Sequence, residues 1–337
     1  MTDFRPLPPL LYEPLVEAAL REDLGRSGDI TSAAVVPAEA TATAHLVARR
    51  EGRIAGLQIA CRAFTLVDPE VAVECRAADG DDVAAGTVLA VVSGPARAIL
   101  SAERVALNLL GRLCGIATQT RRVVALVAGT KARVADTRKT TPGLRALEKY
   151  AVRVGGGSNH RFGLDDAVLI KDNHVAVAGG VGEAVRRARA AVGHLVKVEV
   201  EVTSLAQVEE ALAAGAEVVL LDNMAPEMLR EAVALVGGRA VTEASGGITP
   251  ENAAEVAATG VDVLSLGWLT HSAPALDVAL DVPLDADRLG FDRGQDRGRL
   301  ADGQVVIAQA DDPLDAALDH EVLVAHQLAL DVDRRSD

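Results

Sequence analysis

Apolar positions recur every four residues near the start of the chain. Val16, Leu20 and Leu24 share one face of a helix that begins around Pro14. Short apolar runs follow, among them Ala44-His45-Leu46-Val47-Ala48 and Val88-Leu89-Ala90-Val91-Val92. Turn signals bound these runs, including Asp79-Gly80-Asp81 and Ser93-Gly94-Pro95. The pattern predicts a small antiparallel sheet with helices packed on it. A long helix is expected from about Ser101 to Val127, with a glycine interruption near Cys114.

From about Lys131 to Leu269 the texture changes to short strands alternating with alanine-rich amphipathic segments. Strands are expected at Arg133–Asp136, Val168–Lys171, Val196–Val202, Val218–Asp222, Ala240–Glu243 and Val261–Leu266. Helices are expected at Ser204–Ala214, Pro226–Val236 and Pro250–Thr259; proline in the first turn and Gly215 and Gly260 after helical runs mark starts and stops. Repeated strand–helix units imply a parallel sheet, most simply an α/β barrel. Six units fall short of eight, so an incomplete TIM-like barrel is expected, with a doubly wound open sheet as the alternative.

Composition narrows the class. The chain has 337 residues, 49% hydrophobic and 24% charged, with a net charge of −14. With a mean hydropathy of +0.20 it is no disordered chain. The length suggests two domains, or a barrel with an accessory domain. Net acidity argues against nucleic acid or anionic membranes as partners, and 2% aromatics disfavours stacking platforms for single strands. Cys61, Cys75 and Cys114 lack CxxC spacing, so neither a disulfide framework nor a cysteine-rich zinc site is expected. No apolar run reaches spanning length and no signal-peptide core is present, which predicts a cytoplasmic protein. Residues 281–337 carry a net of −8, leaving −6 for the remainder, so the tail has its own composition.

In barrels of this kind chemistry sits at the C-terminal strand ends. Those ends read Asp136 with Arg138 and Lys139, then Lys171, Glu201, Asp222, Glu243, and Ser265 with Gly267. In Val196–Val202 the charges Lys197, Glu199 and Glu201 share one parity and the valines the other, so the charges point into the barrel if the valines meet the helices. Arg138, Lys139, His160, Arg161 and Lys171 make a cationic set suited to carboxylates or phosphates, several of them near Gly155-Gly156-Gly157, a loop expected to approach a ligand closely. Arg121, Arg122, Arg145 and Arg153 read as a solvated helix face. Ser245-Gly246-Gly247 ahead of a helix is a candidate phosphate cradle, with Gly267 as a second close-approach point. Glu201 and Asp222 beside a phosphate could hold ribose hydroxyls or Mg²⁺. The sum is an enzyme joining or splitting a sugar phosphate and a small acid.

These residues resemble the quinolinate phosphoribosyltransferase family. The matching segments run in order: Glu22-Asp23-Leu24, Gly28-Asp29-Ile30-Thr31, Glu103-Arg104, Gly115-Ile116-Ala117-Thr118, Asp136-Thr137-Arg138-Lys139-Thr140, Lys149-Tyr150 through Asn159-His160-Arg161, Ile170-Lys171-Asp172-Asn173-His174, Glu199-Val200-Glu201-Val202, Leu221-Asp222-Asn223, Glu243-Ala244-Ser245-Gly246-Gly247 and Thr270-His271-Ser272. They cover roughly residues 12–281.

The resemblance implies an N-terminal α+β sandwich over 1–112, an incomplete, roughly seven-stranded barrel over 113–270, and a return segment over 271–281 packing on the first domain. It leaves 282–337 as an acidic extension without counterpart, where disorder or an amphipathic helix over Leu314–Leu330 is expected. The implied reaction converts quinolinate and phosphoribosyl pyrophosphate to nicotinate mononucleotide, pyrophosphate and CO₂ with Mg²⁺, in NAD biosynthesis. By residue, it implies Lys139, Lys171, Glu201 and Asp222 as catalytic. Arg138, Lys139, His160, Arg161 and Lys171 would bind the acid and nearby phosphates, Glu201 and Asp222 the ribose and, indirectly, Mg²⁺. Ser245, Gly246, Gly247 and Gly267 would hold the 5′-phosphate. Arg104 would reach the pocket from a neighbouring subunit, making a homodimer the smallest active assembly, with a hexamer open. Trp268 departs from the small residue more usual after Gly267. The alternative reading keeps the fold and acts on another small pyridine or aromatic acid without decarboxylation.

Overall fold

A computed structural model describes residues 5–283. The expectations for 284–337, the helix over Leu314–Leu330 included, lie outside the described residues.

The N-terminal part begins with helix α1 (Glu13–Leu24), which buries Val16 and Leu20 and stops at Gly25, where φ is +55°. Helix α2 (Ile30–Val35) is capped by Asp29, whose carboxylate accepts from the Ser32 N–H at 2.9 Å. Then come β1 (Thr41–Ala48), β2 (Gly52–Arg53), α3 (Leu57–Val67), β3 (Ala72–Cys75), β4 (Asp82–Val83) and β5 (Val88–Pro95). Strands β1, β5 and β3 pair antiparallel, and α3 packs with the next helix over one face of this sheet.

That next helix, α4 (Ala96–Leu126), starts five residues before the expected Ser101 and has no break near Cys114. Its glycines answer to packing. A Cβ on Gly111 would lie 2.8 Å from the Leu276 carbonyl, and one on Gly115 3.0 Å from Ala275 Cα. They let the chain's return segment press onto the helix backbone. The three thiols are free, yet Cys61 and Cys75 lie with their sulfurs 3.8 Å apart, a proximity that their spacing does not announce.

The barrel strands are β6 (Arg133–Ala135), β7 (Val168–Ile170), β8 (Val198–Val202), β9 (Val218–Asp222), β10 (Val241–Ser245) and β11 (Val263–Ser265). The helices among them are α5 (Arg145–Val154), α6 (Asp172–Ala178), α7 (Val181–Ala191), α8 (Leu205–Ala213), α9 (Pro226–Val236), α10 (Ala253–Ala258) and α11 (Trp268–His271). All six strands are parallel, in the order β6-β11-β10-β9-β8-β7. From β7 to β11 sequential strands are neighbours in one direction and β6 lies against β11, the winding of a barrel; a doubly wound sheet would reverse at a switch point. Ser158 adds a single parallel bridge to Ala135, a one-residue seventh position beyond β6. The barrel is therefore incomplete. A last strand, β12 (Val278–Asp281), returns to pair antiparallel with β1.

The valines of β8 decide its orientation. Val198, Val200 and Val202 are buried with Val185 and Val208 of the surrounding helices, so Glu199 and Glu201 turn inward. Lys197 precedes the strand and is exposed, lining the space at the N-terminal end of the barrel with Glu199, so β8 itself turns two charges inward and Lys197 stands below them.

Candidate active site

The C-terminal strand ends enclose a cavity of about 700 Å³. It is lined by Arg138, Lys139, His160, Arg161, Lys171, Glu201, Asp222, Ser245, Gly246, Gly247 and Gly267, all the residues to which the resemblance gives a role except Arg104. Arg104 stands exposed on α4, its nearest charged partner the adjacent Glu103 at 4.0 Å.

Each side chain reaches the cavity for a local reason. Glu201 and Asp222 occupy inward positions near the ends of β8 and β9. Lys171 follows β7 directly and sets its ammonium 3.1 Å from Glu201 Oε2. After β9 the chain turns at Asn223, the one described non-glycine residue with positive φ (+53°), a region that Asn tolerates. The Asn223 amide donates to Asp222 Oδ2 at 2.7 Å and fixes that carboxylate.

Directly beside it lies the glycine turn after β10, the strand paired with β9, where Gly246 and Gly247 have φ of +86° and +63°. A Cβ on Gly246 would sit 2.5 Å from Asn223 Cγ, whereas nothing lies within 4 Å of one on Gly247. The Gly247 backbone is thus open to close approach by a ligand oxygen. Gly267 makes room for Lys139, whose Cδ would be 2.7 Å from an added Cβ. The Trp268 indole N–H donates to the Ile248 carbonyl at 2.9 Å, joining the two glycine turns.

The acid-facing side carries two guanidinium groups. Arg138 and Arg161 each bury an Nε with no hydrogen-bond partner among the described residues. Burial, and then the neighbouring Arg138 charge, lower the pKa of Arg161. Two partly desolvated cations with unfilled donors form a receptor for an anion with more than one carboxylate.

Several expectations change. Gly155 to Gly157 do not line the cavity. A Cβ on Gly155 would lie 2.5 Å from Thr120 Cβ, and one on Gly157 2.8 Å from Val152 Cγ1, so these glycines let the loop pack on helices α4 and α5. Asp136 is fully buried and paired with buried Lys149 at 2.5 Å, so it braces the loop from below. Strand β10 runs two residues past its expected end, which puts Ser245 at the rim and leaves Glu243 buried in mid-strand. His271, Thr137, Asn223 and Thr249 also line the cavity and were not among the candidates. The Thr270-His271-Ser272 segment of the family pattern was the signal that could have flagged His271.

The hard oxygen donors Glu201 and Asp222 suit Mg²⁺, but they are not part of a set of three or more converging ligands. Among the described residues, that grouping occurs only at His160, Glu199 and Glu243. The donor set fits a metal carried in by a phosphorylated substrate better than a resident ion.

The chain matches the family models for the quinolinate phosphoribosyl transferase N-terminal domain over residues 29–114 and C-terminal domain over 116–281. It is 49% identical over 263 residues to a probable nicotinate-nucleotide pyrophosphorylase [carboxylating] of Bacillus subtilis, covering 78% of this chain and 90% of that one. Against the nicotinate-nucleotide pyrophosphorylase [carboxylating] of Mycobacterium leprae it is 48% identical, covering 79% and 95%. The crystal structure of NadC from Streptococcus pyogenes superposes with a TM-score of 0.79 at 43% identity, over 83% of this chain and 99% of that one. With both family models matched in order and relatives 48% and 49% identical over more than two thirds of the chain, the chain belongs to the quinolinate phosphoribosyltransferase family.

Proposed function

We infer that this protein converts quinolinate and phosphoribosyl pyrophosphate to nicotinate mononucleotide, pyrophosphate and CO₂, a step of NAD biosynthesis. The observation that carries the reading is the cavity's division: two guanidinium groups with unfilled donors on one side, an open glycine turn on the other, and Glu201 and Asp222 between them.

In this reading the acid lies against Arg138, Arg161 and His160, and the 5′-phosphate against Ser245, Gly246, Gly247 and Gly267. Glu201 and Asp222 hold the ribose hydroxyls between the two. The pyridine nitrogen donates its pair to the anomeric carbon while the C–O bond to pyrophosphate breaks and its electrons leave with that group. Lys139 and Lys171 are placed to stabilise the departing charge. Mg²⁺, arriving with phosphoribosyl pyrophosphate, supplies charge neutralisation on the phosphates. The alkylated ring is then a cation, so the C–CO₂ bond at position 2 breaks with its electrons entering the ring, and a proton replaces the carboxylate. Catalysis of this kind rests on positioning and electrostatics, without a covalent protein intermediate.

A homodimer with Arg104 entering the partner's cavity completes the reading. It is supported by exposed apolar side chains on neighbouring elements, Ile30 and Val35 of α2 and Leu100 of α4, beside exposed Arg104. The Asp29 carboxylate accepts from Ser101 of α4 at 3.2 Å and holds α2 at this position.

The test is release of CO₂ and pyrophosphate from quinolinate, phosphoribosyl pyrophosphate and Mg²⁺, run beside nicotinate. Turnover of nicotinate in place of quinolinate would sink the reading.

A further inference from the structure

At the floor of the cavity, which His160 and Glu243 themselves line, two carboxylates on alternate strands converge on one ring. Glu199 of β8 and Glu243 of β10 are 6% and 4% exposed. The Nε2 of His160 lies 3.1 Å from Glu199 Oε2 and 3.5 Å from Glu243 Oε1. On the ring's other side, Nδ1 accepts the backbone N–H of Arg161 at 2.8 Å. The His160 backbone is also held: its N–H donates to Asp136 Oδ1 at 2.8 Å, and its carbonyl accepts from Lys149 at 3.0 Å. Swinging the ring away would release the Arg161 N–H, and with it the start of the residue whose guanidinium, Nη1 donating to the Ala167 carbonyl at 3.1 Å and Nε unpartnered among the described residues, lines the cavity.

We propose that Glu199 and Glu243 are positioning residues: a proton-sharing clamp on His160 that holds the His160–Arg161 corner, and so the Arg161 guanidinium, against the acid-binding side of the cavity. The inference rests on the quinolinate reading and adds two residues that act through another.

The proton count follows from the contacts. Nδ1 is an acceptor, so the ring's own proton sits on Nε2 and points at the carboxylates. The two carboxylates pull the imidazole pKa up against burial, but an imidazolium would have to direct a second N–H at the Arg161 N–H. The additional proton therefore belongs to the carboxylate pair. Glu199 Oε1 and Glu243 Oε1 both lack a hydrogen-bond partner among the described residues. One proton between them turns an orphaned acceptor into a donor and relieves like-charge repulsion. Burial, followed by the charge of Glu199, pushes the Glu243 carboxyl up to about 7.

With the shared proton the clamp carries a single negative charge; without it, two, set beneath a site that must attract a dianion. The groups facing Glu243 are Glu199 from β8, His160 from the corner after α5 and Ser265 from β11. Arg133, Lys197 and Arg161 line the space beneath. Loss of the proton should weaken quinolinate binding selectively.

The experiment is steady-state kinetics on the full chain from pH 6 to 8.5 with Glu199→Gln and Glu243→Gln. In Glu199→Gln the KM for quinolinate should rise about tenfold or more, while that for phosphoribosyl pyrophosphate moves less than about threefold. In the natural chain the quinolinate KM should rise on the alkaline side of about pH 7, and Glu243→Gln, which mimics the protonated acid, should flatten that rise. If Glu199→Gln does not fold, the flattened profile decides alone. Equal shifts in both KM values, or an alkaline rise that survives in Glu243→Gln, would overturn the clamp. So would stoichiometric Zn²⁺ binding that Glu199→Gln abolishes, since the cluster would then be a metal site. Arg161→Ala separates the two levels: if it alone raises the quinolinate KM, the substrate reading stands and the clamp falls. A natural chain that releases no CO₂ from quinolinate overturns the substrate reading itself.

Discussion

Lys171 and Glu201 form an ion pair at the mouth of the cavity, with the lysine side chain 52% exposed and the glutamate 13%. Such a pair has little structural value on the exposed side. Its worth lies in what it presents to substrate. Lys171→Ala should lower kcat/KM by at least about tenfold, roughly 1.4 kcal/mol of transition-state stabilisation, with a thermal midpoint close to that of the natural chain. Turnover within about threefold would remove Lys171 from the site. Glu243 offers a second residue-level test, on stability. Its native carboxyl holds its proton to about pH 7, well above the ordinary value of 4.5, so the native state binds that proton more tightly than the unfolded chain does. The resulting stabilisation is complete below about 4.5 and is lost as pH rises through about 7. Melting curves should show Glu243→Gln gaining on the natural chain between pH 5 and 8, and parallel curves would contradict the buried proton. Trp268 joins the loop after β10 to the start of α11 through one hydrogen bond, a structural role for its indole.

Helix α4 is the element that holds the two sheets of the molecule together. It contributes residues to both hydrophobic clusters, Leu110 and Ile116 to one and Val123 to the other. Its glycines mark where the return segment crosses. Gly115→Ala would force a methyl into the Pro274–Ala275 backbone, so it should cost about 1–3 kcal/mol and loosen the pairing of β12 with β1. Chemical denaturation, with hydrogen exchange at Val278–Asp281, would measure both; unchanged protection there would refute the packing account. The same element shows the limit of reading a chain by pattern. Glycine in a helical run signals a break only if nothing packs there, and the partner at Gly115 lies about 160 residues later in sequence. Strand ends fail for a similar reason. The end of β10 depends on its pairing with β9 through Ser245 opposite Asp222, a contact that no local propensity encodes.

The molecule's net charge of −14 conceals a segregated interior. The cations that line the cavity come from the segments after β6 and β7 and the loop after α5, and acidic groups stand among and beneath them. Arg104 is the one candidate that this chain does not bring to its own cavity. If it serves a neighbour's site, inactive Arg104→Ala and Lys171→Ala proteins should complement when mixed and allowed to exchange subunits. Half of the resulting dimers would be mixed, each with one intact site of two, so activity should recover to about a quarter of the natural level. A mixture that stays inactive despite proven exchange would place Arg104 outside the site.

The order of residues alone carries the architecture and the identity of nearly every cavity-lining charge. Alternating strand and helix periods, glycine and proline punctuation, and the parity of Lys197, Glu199 and Glu201 are local properties, and local sterics suffice to read them. What the order of residues leaves open is which polar group meets which. The sequence could not show that Asp136 and Lys149 would pair in the interior, that Gly155 to Gly157 would face helices, or that Glu199 and Glu243 would close on His160. Those outcomes depend on barrel register and on the cost of burying charge without a partner, and both come into being only when strands far apart in sequence are set side by side.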